Sequence, residues 1–227
     1  ETREAADEDE AADFVEHLFT ATAHDYLMFF TDTGRVYVER VFNIPEGSRT
    51  SKGRSIKNLL NLRPEEKIAS VLRIEAHGRE EKDATFVDTL FVLFATRSGK
   101  VKKTKLSEFR NYRKDGIIAI RIEEGNSLTH VVLTDGTNDI SMVTNRGYAV
   151  RCNESTIRPM GRGSAGVTGI RPRPGDYLVG LTVVDDSNHF LVASERGLGK
   201  RTPFGDYPTK GRGGKGVITM RVTEKTG

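Results

Sequence analysis

The stretch Leu93-Phe94-Ala95-Thr96-Arg97-Ser98-Gly99-Lys100-Val101 decides the fold, because its pattern occurs four times along the chain. It consists of an apolar strand, a polar turn, a glycine and a second strand. This is the pattern of a β-hairpin in which glycine supplies a positive φ. The other three copies are residues 29–37, 142–150 and 191–199.

A second glycine follows each hairpin glycine after 17 to 19 residues, at Gly53, Gly116, Gly166 and Gly216. Each opens an apolar run that we predict to be a strand, at 55–60, 117–122, 167–170 and 217–222. A further strand is predicted after three of the four, at 68–74, 128–133 and 177–184. The sequence therefore repeats a unit of about four strands.

The hairpin glycines lie 65, 48 and 50 residues apart, and the long first interval holds a charged insert, His77 to Asp83, predicted to be a surface loop. Four strands in roughly 50 residues indicate a blade of an all-β propeller. We predict blades at about 17–75, 84–134, 135–185 and 186–227, the last of them incomplete. The chain would then be a small propeller or, as we favour, a fragment of a larger one.

Charge is unevenly distributed. Residues 1–16 hold eight acids and one base, which leaves 34 bases and 24 acids in the rest of the 227 residues, a net charge of +10. We interpret residues 1–16 as an acidic leader or linker. The overlapping segment Glu4 to Leu18 could be a leader helix, an ordered linker or a disordered tail. A basic body suggests a polyanionic partner.

Catalytic and metal-site patterns do not emerge from the sequence. The five histidines lack ligand spacing, Asp185-Asp186 is typical of a turn, and the single Cys152 is interpreted as a packing residue in a reducing compartment. No apolar run approaches the roughly 20 residues of a membrane span. Residues 161–166 and 211–216 both match G-x-G-x-x-G, but strand-like residues follow them, so we interpret them as turns of the repeat.

Basic residues recur at matching places in the repeats, and on a ring of blades such places share one rim. We predict that they form a positive belt that contacts the backbone of double-stranded DNA. Only Tyr112 and Tyr207 interleave with them as exposed aromatics, which disfavours binding of single strands. Changing Lys102, Lys103 and Lys105 together to Glu is expected to weaken binding without unfolding the domain. The predicted DNA-binding residues are Arg35, Arg40, Arg49, Lys52, Arg54, Lys100, Lys102, Lys103, Lys105, Arg110, Arg113, Lys114, Arg151, Arg158, Arg162, Lys200, Arg201, Lys210, Arg212 and Lys215.

Several segments resemble the C-terminal domain of the DNA gyrase A subunit, and the resemblance extends in order over residues 13–227. The segments are Phe14-Val15-Glu16-His17-Leu18-Phe19, Phe29-Phe30-Thr31, Gly34-Arg35-Val36-Tyr37, Ile44-Pro45-Glu46, Ser48-Arg49-Thr50, Lys102-Lys103-Thr104, Met160-Gly161-Arg162, Lys200-Arg201-Thr202 and Tyr207-Pro208-Thr209-Lys210.

The resemblance implies a six-bladed β-pinwheel whose blades exchange strands and whose rim wraps double-stranded DNA. It also implies that wrapping sets the hand of strand passage in ATP-dependent negative supercoiling, with ATP and Mg needed by the holoenzyme and no cofactor or catalytic residue in this chain. The implied partners are double-stranded DNA, the gyrase B subunit, and the rest of the gyrase A subunit, in the cytoplasm at the nucleoid and away from membranes.

The family's signature box has its nearest match here at Lys210 to Gly216, where Lys210 replaces Gln and Gly211 replaces a base. We therefore interpret that segment as a degenerate later copy of a box that would precede Glu1.

Three alternatives remain at this stage. One is a C-terminal domain of the topoisomerase IV type, which also lacks an intact box. A second is a protein-binding propeller, which would use an apolar or mixed face instead of a basic rim. The third is a hydrolase propeller, which needs converging acids near a central channel, a pattern that the sequence does not display.

Overall fold

The computed structural model describes residue 15 and residues 17–48, 50–76 and 82–227. Its strands, in chain order, are β1 (Tyr26–Thr31), β2 (Arg35–Arg40), β3 (Ile68–Ile74), β4 (Phe91–Thr96), β5 (Lys100–Lys105), β6 (Ile117–Ile118), β7 (Leu128–Thr134), β8 (Asp139–Thr144), β9 (Tyr148–Asn153), β10 (Val167–Thr168), β11 (Leu178–Val183), β12 (His189–Ala193), β13 (Gly199–Pro203) and β14 (Val217–Ile218). The helical elements are the single turn α1 (Lys82–Thr85) and the 3-10 turns Val41–Asn43, Ile56–Asn58, Leu106–Phe109, Glu154–Thr156 and Phe204–Asp206.

The strands form three four-stranded antiparallel sheets and one two-stranded sheet. The sheet orders are β3-β1-β2-β6, β7-β4-β5-β10, β11-β8-β9-β14 and β12-β13. In each four-stranded sheet the hairpin and the long third strand come from one repeat, whereas the two-residue strand comes from the next repeat. The predicted all-β array of antiparallel blades is confirmed, and so is the exchange of strands that the resemblance implied.

Glycines at the hairpin turns allow this exchange. Gly34 has a φ of +86° and Gly99 a φ of +83°, in the region that side chains with a Cβ disfavour. A Cβ on Gly99 would lie 2.5 Å from the carbonyl oxygen of Ile170 in the next repeat. The backbone of the incoming strand therefore lies directly against the turn, where Gly99 O accepts hydrogen bonds from Gly169 N and Ile170 N.

The apolar core lies between successive sheets. Phe30 of the first sheet meets Phe94 of the second edge to face, with ring centroids 5.5 Å apart. A second cluster joins Leu93 on the other face of that sheet to Met142 of the third. The third strands also contact one another, β3 against β7 and β7 against β11. These strands form the inner side of the array, and the exchanged strands lie at the opposite, outer edge of each sheet.

Some sequence expectations differ from the structure. The predicted strand at 55–60 is wrong, because this segment contains the 3-10 turn Ile56–Asn58. The corresponding segments of the later repeats pair with the second strand of the preceding repeat's hairpin. The described part of the chain contains no hairpin before β1 with which residues 55–60 could pair. The predicted runs at 117–122, 167–170 and 217–222 shorten to two residues each, since the chain leaves the sheet at the neighbouring turn.

The expected leader helix lies mostly outside the described residues, and residues 17–22 are not helical. Most of the charged insert, residues 77–81, is also outside them.

Candidate nucleic-acid interface

Two glycine-rich loops, at residues 158–166 and 208–216, run along the outer strands of the preceding repeats. Met160 N donates to Lys103 O over 2.8 Å, and Lys210 N donates to Arg151 O over 2.9 Å. These are corresponding residues of consecutive repeats, so the two loops attach to their sheets in the same way. Strands β10 and β14 follow the loops, which agrees with our interpretation of both G-x-G-x-x-G matches as turns.

Most of the predicted DNA-binding residues are on the surface. The exposed ones are Lys52, Arg54, Lys105, Arg113, Lys114, Arg158, Lys200, Arg201, Lys210, Arg212 and Lys215. The half-buried ones are Arg35, Arg40, Lys100, Arg110, Arg151 and Arg162. Arg49 lies outside the described residues.

Lys102 and Lys103 are the exceptions, because the structure buries both. Their exposed fractions are 0% and 3%. Lys102 Nζ donates to Ala119 O and to Arg162 O, each over 2.6 Å. Lys103 Nζ donates to Glu154 O over 2.9 Å and lies 3.4 Å from the Glu154 carboxylate.

The expectation that these two lysines lie on the rim is therefore corrected, because their ammonium groups satisfy internal acceptors. Replacing them with Glu would bury carboxylates beside carbonyl oxygens, at a cost of several kcal/mol per charge. The expected tolerance of the triple change to Glu does not fit this environment.

Burial also perturbs the Lys102 ammonium. Desolvation is the largest cause that lowers the pKa of Lys102 from 10.5 to about 7, the positive charge of Arg162 lowers it further, and Glu108 opposes the shift. Near neutral pH this lysine thus carries a partial charge inside the protein. Its role in the structure is to tie its own repeat to the loop of the next one.

Arg151 is also engaged internally. Its Nε lies 2.8 Å from the Asp139 carboxylate, and its Nη1 lies 2.7 Å from the Asp186 carboxylate. The hydrogen bond to Asp186 is the largest cause that raises the pKa of Arg151. The guanidinium is thereby held between Asp139 on β8 and Asp186 in the turn after β11.

Arg35 and Lys100 are among the other predicted residues whose contacts compete with DNA. Arg35 Nη2 donates to Asp115 O over 2.7 Å and to Gly116 O over 2.8 Å, which fastens the first hairpin to the second repeat. Lys100 forms an ion pair with Glu123. Among the exposed loop cations, Arg212 also donates to backbone carbonyls, those of Thr156 and Thr168. Arg158, Lys210 and Lys215 are more available to phosphate than these residues.

The two expected aromatic exceptions also lie elsewhere than predicted. Tyr207 is 5% exposed and its hydroxyl hydrogen-bonds Thr219 Oγ1. Tyr112 is half-buried against the rings of Tyr26 and Phe86. Both side chains belong to the packing of their repeats, so neither offers an open stacking surface for a base.

Sequence reasoning missed a recurrent arginine five residues after the second glycine of three repeats, at Arg121, Arg171 and Arg221. All three are exposed. The constant spacing from Gly116, Gly166 and Gly216 was the available signal. Apart from Arg54, the predicted cations came from the loops before these glycines and the strands after the hairpin turns.

Within the described residues, no helix combines the length and apolarity needed to cross a membrane.

Comparisons with known proteins agree with the repeat architecture. A family model described as DNA gyrase C-terminal domain, beta-propeller, matches residues 25–75, 91–135, 138–185 and 188–227. The DNA gyrase A subunit of Clostridium acetobutylicum is 42% identical over 155 residues, which are 68% of this chain and 18% of that protein. The DNA gyrase A subunit of Streptococcus pyogenes serotype M1 is 45% identical over 150 residues, 66% of this chain and 17% of that protein.

Solved structures give the same result for the fold. A C-terminal domain of DNA topoisomerase IV superposes with a TM-score of 0.76 at 28% identity, covering 89% of this chain and 60% of the other. A DNA gyrase A C-terminal domain superposes with a TM-score of 0.75 at 24% identity, covering 91% of this chain and 64% of the other. The chain spans less than a fifth of the length of the curated relatives named above.

Proposed function

The chain belongs to the DNA gyrase C-terminal domain family, and on that premise we propose that it binds double-stranded DNA along its outer edge and bends the duplex around the array. The observation that carries the proposal is the equivalent attachment of two consecutive basic loops. Because the same backbone contact fixes both loops, Arg158 and Arg162 on one and Lys210, Arg212 and Lys215 on the other follow the same outer edge. A row of cations in steps of one repeat suits a continuous line of phosphates.

The loop glycines support close approach of a backbone. A Cβ built on Gly161, Gly163 or Gly211 would meet no atom within 4 Å, and none of the three has a positive φ. The fold itself therefore does not require glycine there. Lack of a side chain keeps the loop surface flat, which lets phosphate oxygens reach backbone N–H groups.

Binding of this kind depends on many weak contacts. Bending a duplex site by 40–90° costs on the order of 1–6 kcal/mol by elastic estimates. Each neutralised phosphate releases counterions, so log K falls with log[salt] at a slope of about −0.9 per contact. Many exposed cations are available to offset the cost of bending, even without the buried Lys102 and Lys103.

The test is fluorescence anisotropy with a labelled duplex of random sequence between about 50 and 200 mM salt. With 6–10 phosphate contacts, affinity should fall by about 10³–10⁵-fold over this range. A single strand of the same length serves as the competitor. Weak salt dependence, or preference for the single strand, would contradict the proposal.

The DNA wrap would also have a role in the whole enzyme. We infer that the wrap fixes the hand of strand passage in ATP-dependent negative supercoiling, in concert with the gyrase B subunit, and with the rest of the gyrase A subunit. This chain contributes DNA binding to that reaction, and its own residues are assigned no catalytic step. Ligating a nicked plasmid in the presence of the chain tests the handedness, because a wrap of fixed hand shifts the linking number in one direction only.

A further inference from the structure

We propose that Arg121 and Arg171 form a second set of DNA contacts at the seams between repeats, and that this set carries the duplex from one basic loop to the next. The inference rests on the proposed DNA-binding function and adds residues that the loops do not include. We call these two residues the seam arginines.

Backbone contacts fix the place of the seam arginines. Arg121 N donates to Ser164 O over 3.1 Å, and Arg171 N donates to Gly214 O over 2.9 Å. Ser164 and Gly214 belong to the glycine loops of the following repeats. Each seam arginine therefore lies just beyond the exchanged strand of its own repeat and contacts the last part of the next repeat's loop.

Further backbone contacts hold the loop close to the exchanged strand at the second seam. At the second seam, Gly213 N donates to Gly169 O over 2.5 Å, and Ile170 forms an isolated parallel bridge with Gly214. Arg212 extends back across the seam, with Nε 3.0 Å from Thr156 O and Nη1 3.1 Å from Thr168 O. A loop cation and a seam arginine thus flank the same short stretch of backbone.

The side chains of the seam arginines are available. Both residues are exposed, and within the described part of the chain neither guanidinium takes part in a hydrogen bond, an ion pair or a stacking contact. Other arginines at this end of the sheets differ in this respect. Arg97 stacks on Tyr177 at 3.6 Å and Arg173 on Tyr148 at 3.4 Å, so the protein holds those two in place itself.

Arg171 lies between the two glycine-rich loops, and Arg121 lies between the first of them and the exposed cations Arg113 and Lys114 of its own repeat. This position gives the seam arginines a distinct task. A loop cation can neutralise phosphates on a short, straight duplex. A cation between two loops contributes only when the duplex continues from one repeat to the next. The seam arginines should therefore affect binding of long duplexes more than binding of short ones.

The experiment compares the double variant R121Q/R171Q with the wild-type chain by anisotropy on two duplexes, of about 12 and about 36 base pairs, roughly one and three helical turns. Losing two phosphate contacts makes the salt slope on the long duplex less steep by about 1.8. Between 50 and 200 mM salt, the wild type should accordingly lose about tenfold more affinity than the variant. The slope on the short duplex should change by less than half as much.

The matched control is R63Q/K67Q. Arg63 and Lys67 are exposed cations beside the start of β3, at the inner edge of the first sheet, so this variant also removes two positive charges. Its salt slope should equal that of the wild type. The variant R121K/R171K, which keeps both charges, should restore the wild-type slope.

The outcomes separate the two proposals. An unchanged slope for R121Q/R171Q, or an equal change in R63Q/K67Q, overturns the role of the seam arginines while leaving DNA binding intact. Weak or salt-independent binding by the wild-type chain overturns the proposed function and this inference with it. Thermal unfolding of all variants should match the wild type, since the changed side chains are exposed.

Discussion

Replacing Lys102 with Met tests whether a buried lysine ties two repeats together. The change keeps most of the side-chain volume and removes the donor that Ala119 O and Arg162 O share. A buried carbonyl without its partner costs about 1–3 kcal/mol, and the partly buried Arg162 carbonyl can regain water. Removing a desolvated charge offsets part of this loss. We expect a decrease of about 2 kcal/mol in the free energy of unfolding at pH 7.5, or about 4–8 °C in Tm.

The pH dependence gives the sharper signature. The pKa of Lys102 is lowered to about 7 in the folded chain, against 10.5 for an ordinary lysine. Between these values the unfolded chain binds the proton and the folded chain does not, so the stability of the wild type rises with pH through this group. The rise is at most about 1.4 kcal/mol per pH unit. Neutral amine still has two N–H groups, so both hydrogen bonds persist.

Urea unfolding followed by circular dichroism at pH 7.5 and 9.0 measures the effect. The stability difference between wild type and K102M should widen by up to about 2 kcal/mol between these pH values. K200M is the matched control, because Lys200 occupies the same place in the fourth repeat but is exposed, with Nζ 3.4 Å from Thr219 O. The free energy of unfolding of K200M should stay within about 0.5 kcal/mol of the wild-type value at both pH values. The reasoning is refuted if the difference between wild type and K102M is the same at pH 7.5 and pH 9.0.

Three further changes test other parts of the packing. E154A should lower the free energy of unfolding, measured in urea, by about 3–5 kcal/mol, because it removes the fully buried counter-ion of the Lys103 ammonium. E123A, at an exposed carboxylate, should lower it by less than about 0.5 kcal/mol. G147A should destabilise by more than about 1 kcal/mol, since Gly147 has a φ of +75° and faces a backbone carbonyl of the next repeat; G161A, in open space, should match the wild type in Tm. Cys152 should react with a thiol reagent at pH 8 only after urea is added, because burial raises the pKa of its thiol to about 11; fast labelling of the folded chain would contradict this.

The sequence was sufficient to predict the parts of the fold that depend on local pattern. The third strand of the first repeat has the predicted bounds, Ile68–Ile74, and the third strands of the next two repeats differ from prediction by one residue at one or both ends. Short apolar runs that follow polar turn residues indicate such strands regardless of their neighbours. Pairing between repeats depends on distant residues, so the exchange of strands entered only through the resemblance to a known family.

The candidate site was less predictable, for a physical reason that Lys102 and Lys200 illustrate. Both precede a basic residue and a threonine at the same place in the repeat, yet one is buried and the other exposed. Arg162 in the next repeat covers Lys102 with its backbone carbonyl, whereas the described residues place no equivalent carbonyl against Lys200. Burial of a lysine therefore depends on the neighbouring repeat, which the local sequence does not contain.

Because strands are exchanged, one repeat of the sequence does not coincide with one folded sheet. The second and third repeats each contribute three strands to their own sheet and a short strand to the sheet before it. Each of these two repeats therefore gives and receives the same kind of strand. Duplication or loss of one whole repeat restores each pairing with an equivalent partner, so the length of such an array can change over evolution while every junction stays intact.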